Sequence, residues 1–145
     1  LYALCEFDDS ALIARTCDFA MSAAVKNQNA PFVLARCIAA RRHGSVAWSF
    51  VKNNWDTATS EFPSNTIIRM VDPVKLLNKP ELLADVQSFF DSHPIPQAAK
   101  ILQQILERQR VNTALRSREE STLTSELQRR RGSALTGIAS LFTRR

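Results

Sequence analysis

Glycine is nearly missing from this chain, which has three in 145 residues. Alternation of Val, Ile and Thr with polar residues is almost as scarce. Apolar residues recur instead at threes and fours throughout, so the fold is predicted to be all-α. No apolar run approaches the roughly 18 residues of a membrane-spanning helix, and the first residues lack the charged, apolar and small-residue order of a signal peptide. Asn-x-Ser/Thr glycosylation sites are missing too, which agrees with a cytoplasmic location. Cysteine is limited to Cys5, Cys17 and Cys37, odd in number and never two apart. That excludes a disulfide framework and a zinc knuckle, and the three read as buried, reduced thiols of a cytoplasmic protein. There are two histidines, His43 and His93. A zinc site needs about three converging protein ligands, and nothing in the sequence supplies them. No Ser-His-Asp or Cys-His arrangement is available either, so no catalytic residue and no metal ligand is expected.

What the chain does hold is apolar mass, 45% of its residues, within the length of one domain. Its formal net charge is +5 and its pI about 9.6. The excess is local. Through Leu115, 12 Lys and Arg stand against 11 Asp and Glu, whereas from Arg116 onward seven Arg stand against three Glu. The boundary is drawn at Glu119, with residues 1–119 as the helical domain and 120–145 as a basic C-terminal tail carrying Arg129-Arg130-Arg131 and Arg144-Arg145. With Phe142 as its single aromatic, the tail offers bases almost nothing to stack on. It reads as a solvated segment rather than a nucleic-acid arm. An amphipathic membrane anchor over Ala134–Phe142 ranks last, because that stretch is short and nearly free of charge.

Helices follow one another in the pattern. Leu1, Leu4 and Cys5 read as the last turns of a helix, and the chain is expected to be cut from a longer protein. Asp8, Asp9 and Ser10 offer caps for a helix with Leu12, Ile13, Cys17 and Ala20 inward. Asn27 to Asn29 and Pro31 open a second, with Val33, Leu34, Cys37 and Ile38 inward, stopping at His43-Gly44. His43 there reads as a C-terminal cap facing the helix dipole. A third helix is expected from about Ser45 to Phe62, with Trp48, Trp55 and Phe62 at a spacing of seven and Val51 and Ala58 between them. A stripe of three large aromatics on one helix side has to be buried, and core is its plain reading. Ile67, Ile68 and Val71 mark a short helix ended or kinked at Pro73. Asn78-Lys79-Pro80-Glu81 reads as a capping box before Leu82, Leu83, Val86, Phe89 and Phe90. Ser92-His93-Pro94-Ile95-Pro96 is a rigid turn in which His93 is structural, and from Gln97 a long helix carries Ile101, Leu102, Ile105, Leu106 and Leu115. Short links between helices make successive ones antiparallel neighbours. The architecture is therefore expected to be an irregular α-solenoid of antiparallel helix pairs, HEAT- or armadillo-like, with a helical bundle as runner-up.

Ala47-Trp48-x-Phe50-Val51-Lys52-x-Asn54-Trp55 resembles the Ala-Trp-x-Phe-x-x-x-Asn-Trp segment in the C-terminal helical domain of zinc aminopeptidases of the aminopeptidase N and puromycin-sensitive group. Gln28-Asn29 and Val86-Gln87-Ser88-Phe89-Phe90 match in the same order. Ser92-His93-Pro94-x-Pro96, Gln103-Gln104 and Asn112-Thr113-Ala114-Leu115 are similar to the puromycin-sensitive type. The resemblance covers about residues 8–120. Asn29 stands where the family often has Asp, Leu115 where it has Trp, and the end from Ser133 to Phe142 finds no match.

The resemblance implies a non-catalytic C-terminal domain of a zinc-dependent metallopeptidase that removes N-terminal residues from peptides. The parent's zinc, held by a His-Glu-x-x-His helix and a downstream Glu, would activate water. Neither His43 nor His93 is followed by Glu, so no cofactor is expected in this chain and it should be inactive alone. In the family, the helical array closes the chamber that peptides enter. The implied partners are therefore the catalytic domain of the same chain and peptide substrates, with no nucleic acid and no membrane. The surface left uncovered also offers a face for self-association. Arg69, inside the apolar run Ile67-Ile68-x-Met70-Val71, is the candidate for holding a peptide carboxylate. A structural ion pair of Arg69 with Asp72 or Asp85 is the competing assignment. The alternative function is a stand-alone helical scaffold that binds a protein or nucleic acid through its basic tail.

Overall fold

The computed structural model describes residues 1–142, with side chains described through Arg131. All regular secondary structure among the described residues is helical, without a strand, as the periodicity predicts. They fall into two compact units, Leu1–Thr113 and a second that starts at Ala114. A 3₁₀ turn over Tyr2–Glu6, where the sequence suggested the end of a helix, leads into α1 (Ser10–Ala20), α2 (Ala30–Ile38), α3 (Gly44–Asn53), α4 (Trp55–Glu61) and α5 (Ser64–Val71). A 3₁₀ turn over Asp72–Leu76, α6 (Pro80–Ser92), a 3₁₀ turn over Pro96–Ala98 and α7 (Ala99–Phe142) complete the order.

The helix starts follow local chemistry only in part. At α1 the cap forms as expected, the Asp9 carboxylate accepting from the Leu12 backbone N–H at 2.9 Å. Asn29 occupies the cap position of α2 but makes no side-chain cap bond. At α6 the cap position falls to Lys79, one residue after the expected Asn78, and the Lys79 side chain makes no cap bond. Pro at the first turn sets the φ that starts both helices.

The inward faces of α1 and α2 match the apolar pattern closely. Ile13, Cys17 and Ala20 meet Val33, Leu34, Cys37 and Ile38 in one core. The helix at its centre is α2, which packs on α1, α3 and, most extensively, α5. Gly44 opens α3 where the chain passes close to α2, and a Cβ there would collide with the Ile38 carbonyl oxygen.

The aromatic stripe is buried, but not on one helix. Between Trp48 and Trp55 the helix breaks at Asn54, whose backbone leaves the α region (φ −115°, ψ 21°). Its side-chain amide donates to the Phe50 carbonyl at 2.9 Å, a bond that competes with the helix's own ladder. Since α4 resumes at once, Trp48, Trp55 and Phe62 all stay in the core. Both indoles meet the Phe89 ring edge-on at 5.2 Å, which fastens α6 to α3 and α4.

Within the first unit α7 lies inward along Leu102, Ile105, Gln109 and Thr113. Ile101 and Leu115, expected inward, are exposed. The buried row passes through polar residues instead. The Gln109 side-chain amide donates to the Leu77 carbonyl at 2.9 Å, and that of Asn112 to the Lys75 carbonyl at 2.8 Å. Polar side chains thus dock the helix onto the segment around the second 3₁₀ turn. In the second unit α7 continues with Arg116–Glu120, Glu126–Arg129 and Glu126–Arg130 pairs at helical spacing. The stretch Ala134–Phe142, for which a membrane anchor ranked last, and the Arg144-Arg145 end lie outside the described side chains. Among the described residues no helix is long and apolar enough to cross a membrane.

Candidate functional site

Arg69 leaves α5 on the side away from the core. Thr66, Ile67, Ile68, Met70 and Val71 are buried around it, so the second turn of this short helix has Arg69 as its one exposed residue. Arg69 lines a groove of about 780 Å³ together with Phe32 from α2, Ser64, Asn65 and Ile68 from α5, Asp72, Gln97 and Ala98 from the third 3₁₀ turn, and Ile101 from α7. Phe32 and Ile101 are large apolar side chains left exposed on its walls.

Neither ion pair suggested for Arg69 forms. Asp72 is taken by Lys75, whose ammonium donates to both carboxylate oxygens at 2.8 and 2.6 Å. Asp85 is taken by Lys52 at 2.5 Å and by the Trp48 indole N–H at 2.8 Å. Burial pushes the Asp85 carboxyl up, but the hydrogen bonds from Lys52 and Trp48 outweigh it and hold the group below its ordinary value. Among the described residues Arg69 therefore keeps no carboxylate partner. With Asp72 already neutralised by Lys75, the groove's uncompensated charge is positive.

A second groove, of about 460 Å³, lies between α6 and α7 over Phe90, Ile95 and Leu102. Its guanidinium, on Arg110, is paired with Glu107. It therefore lacks the free cation of the first.

The remaining polar candidates are structural. His43 is not a C-terminal cap: it sits at the N-cap position of α3 without a cap bond, because α2 has already ended at Ile38. Its Nε2 lies 3.3 Å from Asp8, within ion-pair distance but not aligned as a hydrogen bond, while Arg42 holds the other Asp8 oxygen at 2.8 Å. His93 stacks on Phe89 at 4.2 Å and contacts the Phe89 carbonyl through Nδ1. Cys5, Cys17 and Cys37 are buried and reduced. Hydrogen bonding to Cys17 and burial push the Cys37 thiol up to about 12, and hydrogen bonding to Cys37 and burial raise Cys5 further, which makes both poor nucleophiles. These residues do not fit a zinc ion, and among the described residues no group of three His, Cys, Asp or Glu is arranged to hold one.

Of the residues singled out from sequence, the structure thus sets Arg69 in a groove and His43 and His93 apart from it. Sequence reasoning did not name Phe32, Gln97 or Ile101 as neighbours of Arg69. They come from elements distant in the chain, and only the exposure of two large apolar residues could have signalled them.

Residues 1–111 match the family described as the ERAP1-like C-terminal domain. The chain is 32% identical over 113 residues to Aminopeptidase M1-A of Oryza sativa subsp. japonica, which covers 77% of this chain and 13% of the relative. It is 30% identical over 106 residues to Aminopeptidase M1-B of the same plant, covering 72% of this chain and 12% of the relative. The chain thus spans about an eighth of the length of these relatives. It belongs to the ERAP1-like C-terminal domain family, as a C-terminal domain of an M1 aminopeptidase.

Proposed function

We propose that this domain serves a zinc aminopeptidase by capping the chamber in which peptides are trimmed, and that the Arg69 groove holds the far end of the peptide. The observation that carries the reading is the guanidinium of Arg69, without a carboxylate partner, between exposed apolar walls. A planar guanidinium binds a carboxylate through two parallel hydrogen bonds, and the walls suit an apolar side chain next to that carboxylate. Catalysis belongs to zinc in the parent's catalytic domain, and this chain is inactive alone. The buried thiols suit a reducing, cytoplasmic compartment.

The test uses N-acetylated peptides with an apolar last residue, ending either in a free carboxylate or in an amide, titrated into the chain by fluorescence anisotropy. The free acid should bind about tenfold tighter, as a charge-assisted hydrogen bond contributes roughly 1.5–3 kcal/mol. Arg69→Gln should remove the difference. Equal affinity for acid and amide would refute the role of Arg69, and hydrolysis of an aminoacyl reporter by the chain alone would refute the non-catalytic reading.

A further inference from the structure

The second unit leaves apolar surface on a stretch of helix that is otherwise mostly polar or charged. Leu123 and Leu127 are 59% and 62% exposed, one turn apart on the same side of α7. Charges border this pair in a particular order. At 3.6 residues per turn, Glu119 and Arg130 are three turns apart and lie on one flank of the leucine stripe, while Glu120 and Arg131 lie on the other, each about 40–60° from it.

We propose that two copies of the chain pair antiparallel through this stretch of α7. A two-fold axis at the level of Ser125 sets Leu123 against the partner's Leu127, and Leu127 against the partner's Leu123. The same axis brings Glu119 beside the partner's Arg130 on one flank and Glu120 beside the partner's Arg131 on the other. One operation thus satisfies the leucines and both flanks, as an isologous contact requires. A parallel pairing would instead set Glu119 beside the partner's Glu120 and Arg130 beside the partner's Arg131, like charge against like on both flanks. The charge order therefore selects a second copy in one direction.

The pairs within each helix are compatible with this arrangement. Glu119 holds Arg118 at 2.7 Å, Glu126 holds Arg129 and Arg130 at 2.8 Å, and Arg116 reaches Glu120 at 3.6 Å. All of these residues lie in the outer shell, where a carboxylate can accept from a second cation.

Sedimentation equilibrium of the whole chain, up to about 1 mM, is the test. A mass of twice 16.3 kDa is expected, with dissociation favoured by salt. Leu123→Asp with Leu127→Asp should leave a monomer. Glu119→Arg with Glu120→Arg should weaken the dimer at least about tenfold, because like charges then face each other. Adding Arg130→Glu and Arg131→Glu to that variant should restore it. Far-UV circular dichroism checks that each variant keeps its helix. A single 16.3 kDa mass throughout, or a fourfold charge exchange that keeps its helix and fails to restore the dimer, would overturn the proposal.

Discussion

Truncating Trp48 to Ala removes a side chain that ties α3 to α6 by ring contacts and a hydrogen bond together. Its indole is 0% exposed, touches the rings of Phe89 and Phe90 at centroid distances of 5.2 and 5.7 Å, and donates to Asp85 at 2.8 Å. Loss of a fully buried Trp costs about 3–5 kcal/mol through lost burial and the remaining cavity. Domains of this size are stable by about 5–15 kcal/mol, so the change takes away a large share. With a urea m-value of about 2 kcal/mol/M, the midpoint should fall by roughly 1.5–2.5 M at constant m. Trp55 remains as the fluorescent reporter.

A milder pair of variants separates ring from hydrogen bond. Trp48→Phe keeps an aromatic ring but leaves Asp85 without its indole donor, and should cost about 1–3 kcal/mol. Trp55, 7% exposed, has ring contacts but no comparable carboxylate, so Trp55→Phe should cost distinctly less. Equal losses for the two Phe variants would refute the role given to Asp85. A midpoint shift below about 0.5 M for Trp48→Ala would refute the burial argument itself.

The Asp85 carboxyl sits below its ordinary value, so it adds stability above the unfolded value of about 3.9 and loses it as pH falls through the folded one. Asp85→Asn should flatten the decline in melting temperature below about pH 4, modestly because the side chain is 38% exposed, and an unchanged acid limb would count against the pairing. Gly44→Ala should destabilise by more than 1 kcal/mol in urea unfolding, although Ala is the better helix former, since its Cβ meets the Ile38 backbone; a gain in stability would contradict that close approach. The three thiols should resist an aromatic disulfide reagent in the native state and react in full in urea. Labelling at the native rate of a free thiol would show that they are not enclosed.

The reach of the sequence differs between apolar and polar residues. The inward rows of α1 and α2 could be read directly because periodicity records burial and little else. The stripe of Trp48, Trp55 and Phe62 was legible as core for the same reason. Its break at Asn54 was not, since a one-residue interruption keeps all three on the same side and the cause is one amide reaching back to Phe50. The inner row of α7 was misread at Ile101 and Leu115 because Gln109, polar and fully buried, stands where an apolar marker was sought. Its amide finds the Leu77 carbonyl only after the chain has folded back.

Arg69 unites both cases. Its exposure followed from spacing, because a five-residue buried set on an eight-residue helix leaves few positions from which a guanidinium can reach water. Its partner did not follow, because Asp72 and Asp85 were both near enough in principle and the choice rested on competition. Lys75 lies three residues from Asp72 on the same turn and reaches it at little entropic cost. Asp85 faces Lys52 and the indole of Trp48 across the α3–α6 contact. Each carboxylate is therefore committed to a cation closer to its own position in the fold, and Arg69 is left charged at the edge of an apolar groove. On the role proposed for Arg69, an incoming carboxylate would gain a charge-assisted bond without displacing an existing ion pair, and that asymmetry is what the comparison of acid and amide peptides tests.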